Sequence, residues 1–216
     1  MANTYSAGTP AAGTPPAGPE TVMHTTEARH PIADPAPLGL AGFAFTTLML
    51  SFINAGIIGA GATAAVLPMA AAYGGGAQLL AGMWAFRRGN TFAATAFTSY
   101  GAFWFSYYLL IGVWIKGVAP ATVGPIVGLY LFGWAIFTGY MFVASLHGTR
   151  AVQVVFALLT ITFFFLAIGF WDWFGAGVTL GHIGGYIGIL TAAAAAYASF
   201  ADVLNETARR VILPTN

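Results

Sequence analysis

Scattered through the apolar part of this 216-residue chain stand Thr46, Thr47, Asn54, Gln78, Thr95, Thr98, Ser99, Tyr100, Gln153, Thr160 and Thr162. All are neutral, and all can donate or accept a hydrogen bond. Asp, Glu, Lys and Arg are missing from the apolar runs themselves, so chemistry that needs a buried charge is missing too. The chain therefore lacks the succession of acidic groups that proton pumps use inside a membrane. His147 falls in a polar break and His182 stands alone, which leaves no histidine pair for a membrane haem or metal. Cys is absent, and that excludes disulfides, iron–sulfur clusters and thiolate catalysis together. With no nucleophile beside a base, neither an enzyme nor a cofactor is expected.

Neutral polar groups in an apolar setting must still find partners in protein or water. A Thr or Ser can bond back to its own helix or face a path through it. The amides of Asn54 and Gln78 are harder to satisfy locally, and they either pack or line a polar pathway. A path of hydroxyls and amides without fixed charge suits a small, weakly charged or protonatable solute. It does not suit a polyanion or a metal ion. His182 is either an interfacial residue or a protonatable group near an outer mouth.

These side chains must be carried by membrane helices. Charged residues are 6% of the chain and hydrophobic ones 58%, with a mean hydropathy of +0.79; ordinary soluble domains carry about a quarter charged residues. No charge occurs between Leu38 and Phe86. The net charge of +1 offers no basic patch for nucleic acid. Residues 1–33 read as a disordered cytoplasmic tail without a signal-peptide apolar region. Residues 34–201 read as an all-α integral membrane domain, and 202–216 as a cytoplasmic C-terminal tail.

At about 20 residues per span, six spans fit: Leu38 to Gly59, then on to Phe86, Thr91 to Ile115, Val123 to Leu146, Ala151 to Phe170, and Val178 to Phe200. Asp34-Pro35 suits a helix start, Gly59-Ala60-Gly61-Ala62 a tight turn, and Arg87-Arg88-Gly89-Asn90 a helix end followed by a new cap. Trp171-Asp172-Trp173-Phe174 reads as an interfacial aromatic belt. Six spans gather Arg29, Arg87, Arg88, Arg150, Arg209 and Arg210 on one side and leave only Lys116 on the other. By the positive-inside bias, both termini are cytoplasmic. Glycines four apart (Gly177, Gly181, Gly185; Gly184, Gly188; Gly124, Gly128) point to close helix packing, within one bundle or between subunits.

Asp34-Pro-Ala-Pro-Leu-Gly-Leu-Ala-Gly-Phe43 closely resembles the Asn-Pro-Ala-Pro-Leu-Gly-Leu-x-Gly-Phe signature of the acetate uptake transporter family, which includes bacterial succinate–acetate permeases and fungal acetate transporters. Further blocks agree in order: Tyr73-Gly-Gly-Gly-Ala-Gln78, Gly89-Asn-Thr-Phe92 through Thr95-Ala-Phe-Thr-Ser-Tyr-Gly101, and Leu204-Asn-Glu206 with Val211-Ile-Leu-Pro214. The resemblance implies a homohexamer in the plasma (inner) membrane, with six helices and a separate pathway per protomer. It implies proton-linked uptake of acetate, and in some members succinate, although channel behaviour has also been argued. It further implies a hydrophobic constriction of Phe43, Tyr100 and Leu159, where Tyr100 can offer its hydroxyl to a carboxylate. Thr46, Thr47, Asn54, Gln78, Thr98 and His182 are the expected pathway residues. Two positions depart from the family: Asp34 replaces the signature Asn, and Ala85 stands where many members carry Glu. A passive channel for small anions or neutral solutes is the alternative reading, with a non-transporting subunit or sensor ranked lower.

Overall fold

The computed structural model describes residues 32–172 and 175–216. Among these the chain is helical, without strands: α1 (Ala36–Asn54), α2 (Thr63–Met69), α3 (Gln78–Arg87), α4 (Thr91–Gly112), α5 (Pro120–Ser145), α6 (Arg150–Phe170) and α7 (Gly177–Ala208). A π-helical stretch, Ala70–Ala77, joins α2 to α3, so one 28-residue rod runs from Ala60 to Arg87. Among the described residues, five helical stretches are long and apolar enough to cross a membrane: α1, this rod, α5, α6 and α7. Helix α4 is also long, with 22 residues, but Thr, Ser, Tyr and Trp dilute its apolar character. Leu129, Ile136 and Val143 of α5 and Leu190 and Phe200 of α7 face outward, as lipid requires of a bundle this apolar. The expected residues 1–31 of the N-terminal tail, and Trp173 and Phe174 of the aromatic belt, lie outside the described residues.

The local signals explain most boundaries. Asp34 Oδ1 accepts from the Ala36 N–H at 2.9 Å, and Pro35 has no N–H to satisfy. Gly89 takes φ +76° after α3, and Asn90 Oδ1 accepts from the Ala93 N–H at 2.9 Å to start α4. Thr149 caps α6 through Val152 N–H at 3.4 Å, and Asp172 Oδ1 accepts from Gly177 N–H at 2.7 Å at the head of α7. The turn expected at residues 59–62 falls earlier: α1 ends at Asn54, and Gly59–Ala62 already leads into the second rod. Helix α7 runs past Phe200 to Ala208, so the first seven residues of the expected tail are helical.

Helix α7 packs on α6 and α1, α6 on α5, and α3 on α4. Glycines make these crossings close. A Cβ added at Gly185 would collide with the Ala55 backbone, and one at Gly188 with the Ser51 side chain, where α7 meets α1. One added at Gly101 would stand 2.8 Å from Leu79 N, where α4 meets α3. Gly42 gives the π stretch the same access: an added Cβ would stand 2.8 Å from the Tyr73 carbonyl oxygen. At each of these glycines the close neighbour belongs to the same chain.

Beyond α7 the chain doubles back. Arg209 adopts φ +54°, and Asn205 then holds the returning strap through Ile212 N–H (2.7 Å), Leu213 N–H (3.0 Å) and the Leu213 carbonyl (2.8 Å). Tyr197 donates to the Pro214 carbonyl at 2.6 Å, and Ala151 N–H donates to that of Thr215 at 3.0 Å.

Candidate functional site

Three elements bring Phe43 (α1), Tyr100 (α4) and Leu159 (α6) together, with exposures of 4%, 3% and 3%. The Phe43 and Tyr100 rings lie 5.8 Å apart. Phe137, Phe156 and Trp134 close around Tyr100 at 5.4, 6.0 and 6.0 Å. Aromatic pairs at these tilted and edge-on geometries favour fixed ring positions.

A cavity of about 350 Å³ reaches these three residues from the end of the bundle that carries the arginines. Its mouth is lined by Asn90, His147, Thr149, Asp202 and Thr215, and its depth by Leu40, Gln78, Phe97, Val155 and Phe156. A second, much smaller space of about 30 Å³ touches Thr47, Ser51, Asn54, Trp104 and Thr162. That volume holds two or three waters, at about 10–15 Å³ of this measure each. Phe43 and Leu159 border both spaces, which therefore meet at this pair.

Hydrogen bonding sorts the neutral polar residues. Thr160 and Thr162 donate back to the Phe156 and Leu158 carbonyls of their own helix, at 2.7 and 2.9 Å. Gln153 Nε2 donates to the Gly148 carbonyl at 3.0 Å and serves the α5–α6 break. By contrast Thr46 Oγ1, Thr47 Oγ1, Gln78 Oε1 and Thr98 Oγ1 are buried without a partner, as is Trp104 Nε1. Leaving such atoms dry costs about 1–3 kcal/mol each, so their positions call for water or a solute. Gln78, 1% exposed, lines the large cavity; Thr47 and Asn54 line the small one.

Other expected pathway residues stand elsewhere. Thr46 lies beside Gly74 of the π stretch and the Trp104 ring, and Thr98 lies against Gly82 of α3. His182 is exposed and covers Gly56, which has φ +72°, just past the end of α1; it lines neither cavity. The Tyr100 hydroxyl is engaged with Thr138 Oγ1 at 2.9 Å rather than waiting for a carboxylate. Sequence reasoning passed over Thr138 and Trp104. Nothing local distinguishes Thr138 from the other threonines, because its partner is 38 residues away. Asp34 meets Arg88 at 3.6 Å, an exposed and weak pairing beside its capping bond.

The model of the GPR1/FUN34/yaaH family matches residues 17–216. The chain belongs to this family. It is 40% identical over 183 residues to the succinate-acetate/proton symporter SatP of Escherichia coli K12, covering 85% of this chain and 95% of that one. It is 38% identical over 202 residues to acetate permease A of Emericella nidulans, across 88% of this chain and 67% of that one. The solved structure of the bacterial acetate channel SatP superposes with a TM-score of 0.79 at 39% identity, over 86% of this chain and 99% of that chain. The protein is a multi-pass membrane protein of an acetate transporter and channel family, not an enzyme.

Proposed function

We propose that the protein carries acetate, or a closely related short carboxylate such as succinate, into the cell across the plasma membrane. In this reading six helices of residues 34–201 span the bilayer, both termini are cytoplasmic, and each protomer of a homohexamer holds its own pathway. The large cavity is the cytoplasmic vestibule, and Phe43, Tyr100 and Leu159 form the constriction. The reading rests on one observation above all: two cavities border the same pair, Phe43 and Leu159, and the polar side chains Gln78, Thr47 and Asn54 that line them nearby are neutral. An apolar neck lets a methyl group through while a hydrated ion loses its water. Gln78 below the neck and Thr47 and Asn54 above it supply hydrogen bonds at each side.

Purified protein in liposomes should accelerate labelled acetate uptake far beyond protein-free vesicles, in which only the protonated acid crosses. Equal rates would overturn the reading. Proton coupling is the expected mode. A passive channel is favoured by a different observation: no Asp, Glu, Lys or Arg lies within the apolar runs to relay a proton. A membrane potential imposed without a pH gradient separates the two: one-to-one proton–acetate symport is electroneutral and ignores the potential, whereas acetate-anion flux through a channel follows it.

A further inference from the structure

Beside the constriction, Thr138 of α5 is fully buried at 0% exposure. Its Oγ1 donates to the Trp134 carbonyl at 2.7 Å, and it lies 2.9 Å from the Tyr100 hydroxyl. A threonine hydroxyl has one proton. With that proton on Trp134, Thr138 can only accept from Tyr100, so the Tyr100 proton points into α5. The ring itself is held among Phe43, Trp134, Phe137 and Phe156, so what Thr138 sets is the direction of the O–H bond about the ring's C–O axis. Thr138 lines neither cavity.

We propose that Thr138 is a positioning residue that sets specificity, by drawing the Tyr100 O–H away from the pathway so that solutes meet an apolar ring instead of a hydrogen-bond donor. The proposal rests on Phe43, Tyr100 and Leu159 being the constriction through which a small carboxylate passes. A site without a polar group cannot reward a solute hydroxyl, whereas one with a free donor discriminates strongly for it. Thr138 thus makes the constriction prefer acetate over its hydroxylated counterpart, glycolate.

The full chain, in liposomes, provides two independent readings. The first is infrared: subtracting the Tyr100→Phe spectrum isolates the Tyr100 hydroxyl bands. Thr138→Val, which keeps the shape and removes the acceptor, should shift those bands; Thr138→Ser should restore them. The second is transport: Thr138→Val should raise the glycolate-to-acetate flux ratio by about threefold or more, and Thr138→Ser should hold it at the wild-type value. Unshifted bands in Thr138→Val overturn the hydrogen bond and the proposal together. Shifted bands with an unchanged flux ratio overturn the specificity role. If Thr138→Val does not fold, Thr138→Ala removes the same acceptor with a smaller side chain and is read the same way. A wild-type protein that moves no acetate defeats the proposed function instead, and the infrared bands then decide the Tyr100–Thr138 contact without any transport.

Discussion

At the residue scale, the polar groups divide by what their hydrogen bonds leave over. Gln78 buries an amide at 1% exposure with Oε1 unpartnered, facing the vestibule. Replacing it with Leu should slow acetate flux about tenfold or more, the loss of roughly 1.4 kcal/mol or more of binding to the moving solute. Folding should not suffer, because a buried acceptor without a protein partner is removed; melting in detergent, measured beside flux, separates the two effects. Leu159, 3% exposed between the two cavities, behaves oppositely. Leu159→Ala should cost about 2–5 kcal/mol of stability and should admit larger acids, read as a rise in the butyrate-to-acetate flux ratio. Unchanged discrimination would remove Leu159 from the constriction. That Gln78 would lack a local partner was legible in the sequence, since an amide in an apolar run has few of them. The commitment of Tyr100 was not, since it depends on Thr138 from another helix and on a proton already given to Trp134.

At the element scale, helix ends follow their caps and helix contacts follow their glycines. Asn90, Gly89 and Thr149 mark boundaries that the sequence announces. The π stretch is different: the sequence up to Phe86 reads as one plain span, and the irregular turn at Ala70–Ala77 goes unread. The glycine spacing in α7 likewise predicts a close face without saying which helix fills it. The structure resolves the choice position by position. Gly185→Leu should prevent α7 from seating on α1, and the protein should lose its monodisperse peak in detergent. Gly181→Ala should be tolerated, because a Cβ added there meets nothing within 4 Å. The Asn205 side chain is the clasp of the C-terminal strap. Asn205→Ala leaves two N–H groups and one carbonyl without it. Trypsin should then cut faster after Arg209 or Arg210, at a stability cost of about 1–3 kcal/mol.

At the scale of the whole molecule, the charge asymmetry carries the orientation. Arg87 ends α3, Arg88 follows it and Arg150 begins α6, all at the end where the large cavity opens, and Lys116 lies between α4 and α5. The absence of Cys allows a clean test, since any single introduced cysteine is the only thiol. Gly117→Cys should react with a membrane-impermeant maleimide from outside the cell, and Gly148→Cys only in inverted vesicles. Both labelling from one side would refute the six-span topology. Composition made the membrane class readable in the sequence, because it is a sum over many residues; the orientation is the expectation from charge that the labelling tests. The vestibule was not readable, because its mouth joins Asn90, His147, Asp202 and Thr215 from segments far apart in the chain.

The π stretch also bears on how the chain tolerates insertion and deletion. A π turn is what remains when an α-helix absorbs an extra residue without discarding its flanks, and such turns persist mostly where they serve function. One residue corresponds to about 100° of helical rotation. Deleting Gly76 would remove the extra residue, letting the rod relax to a regular α-helix with α2 and α3 near their present facing. Deleting a residue from the regular turns of α2 or α3 has no such slack and would turn one flank against the other by about that angle, taking Gln78 from the vestibule or Val66 from its buried place. A lineage can therefore shorten the rod at the π stretch more easily than in the turns on either side of it.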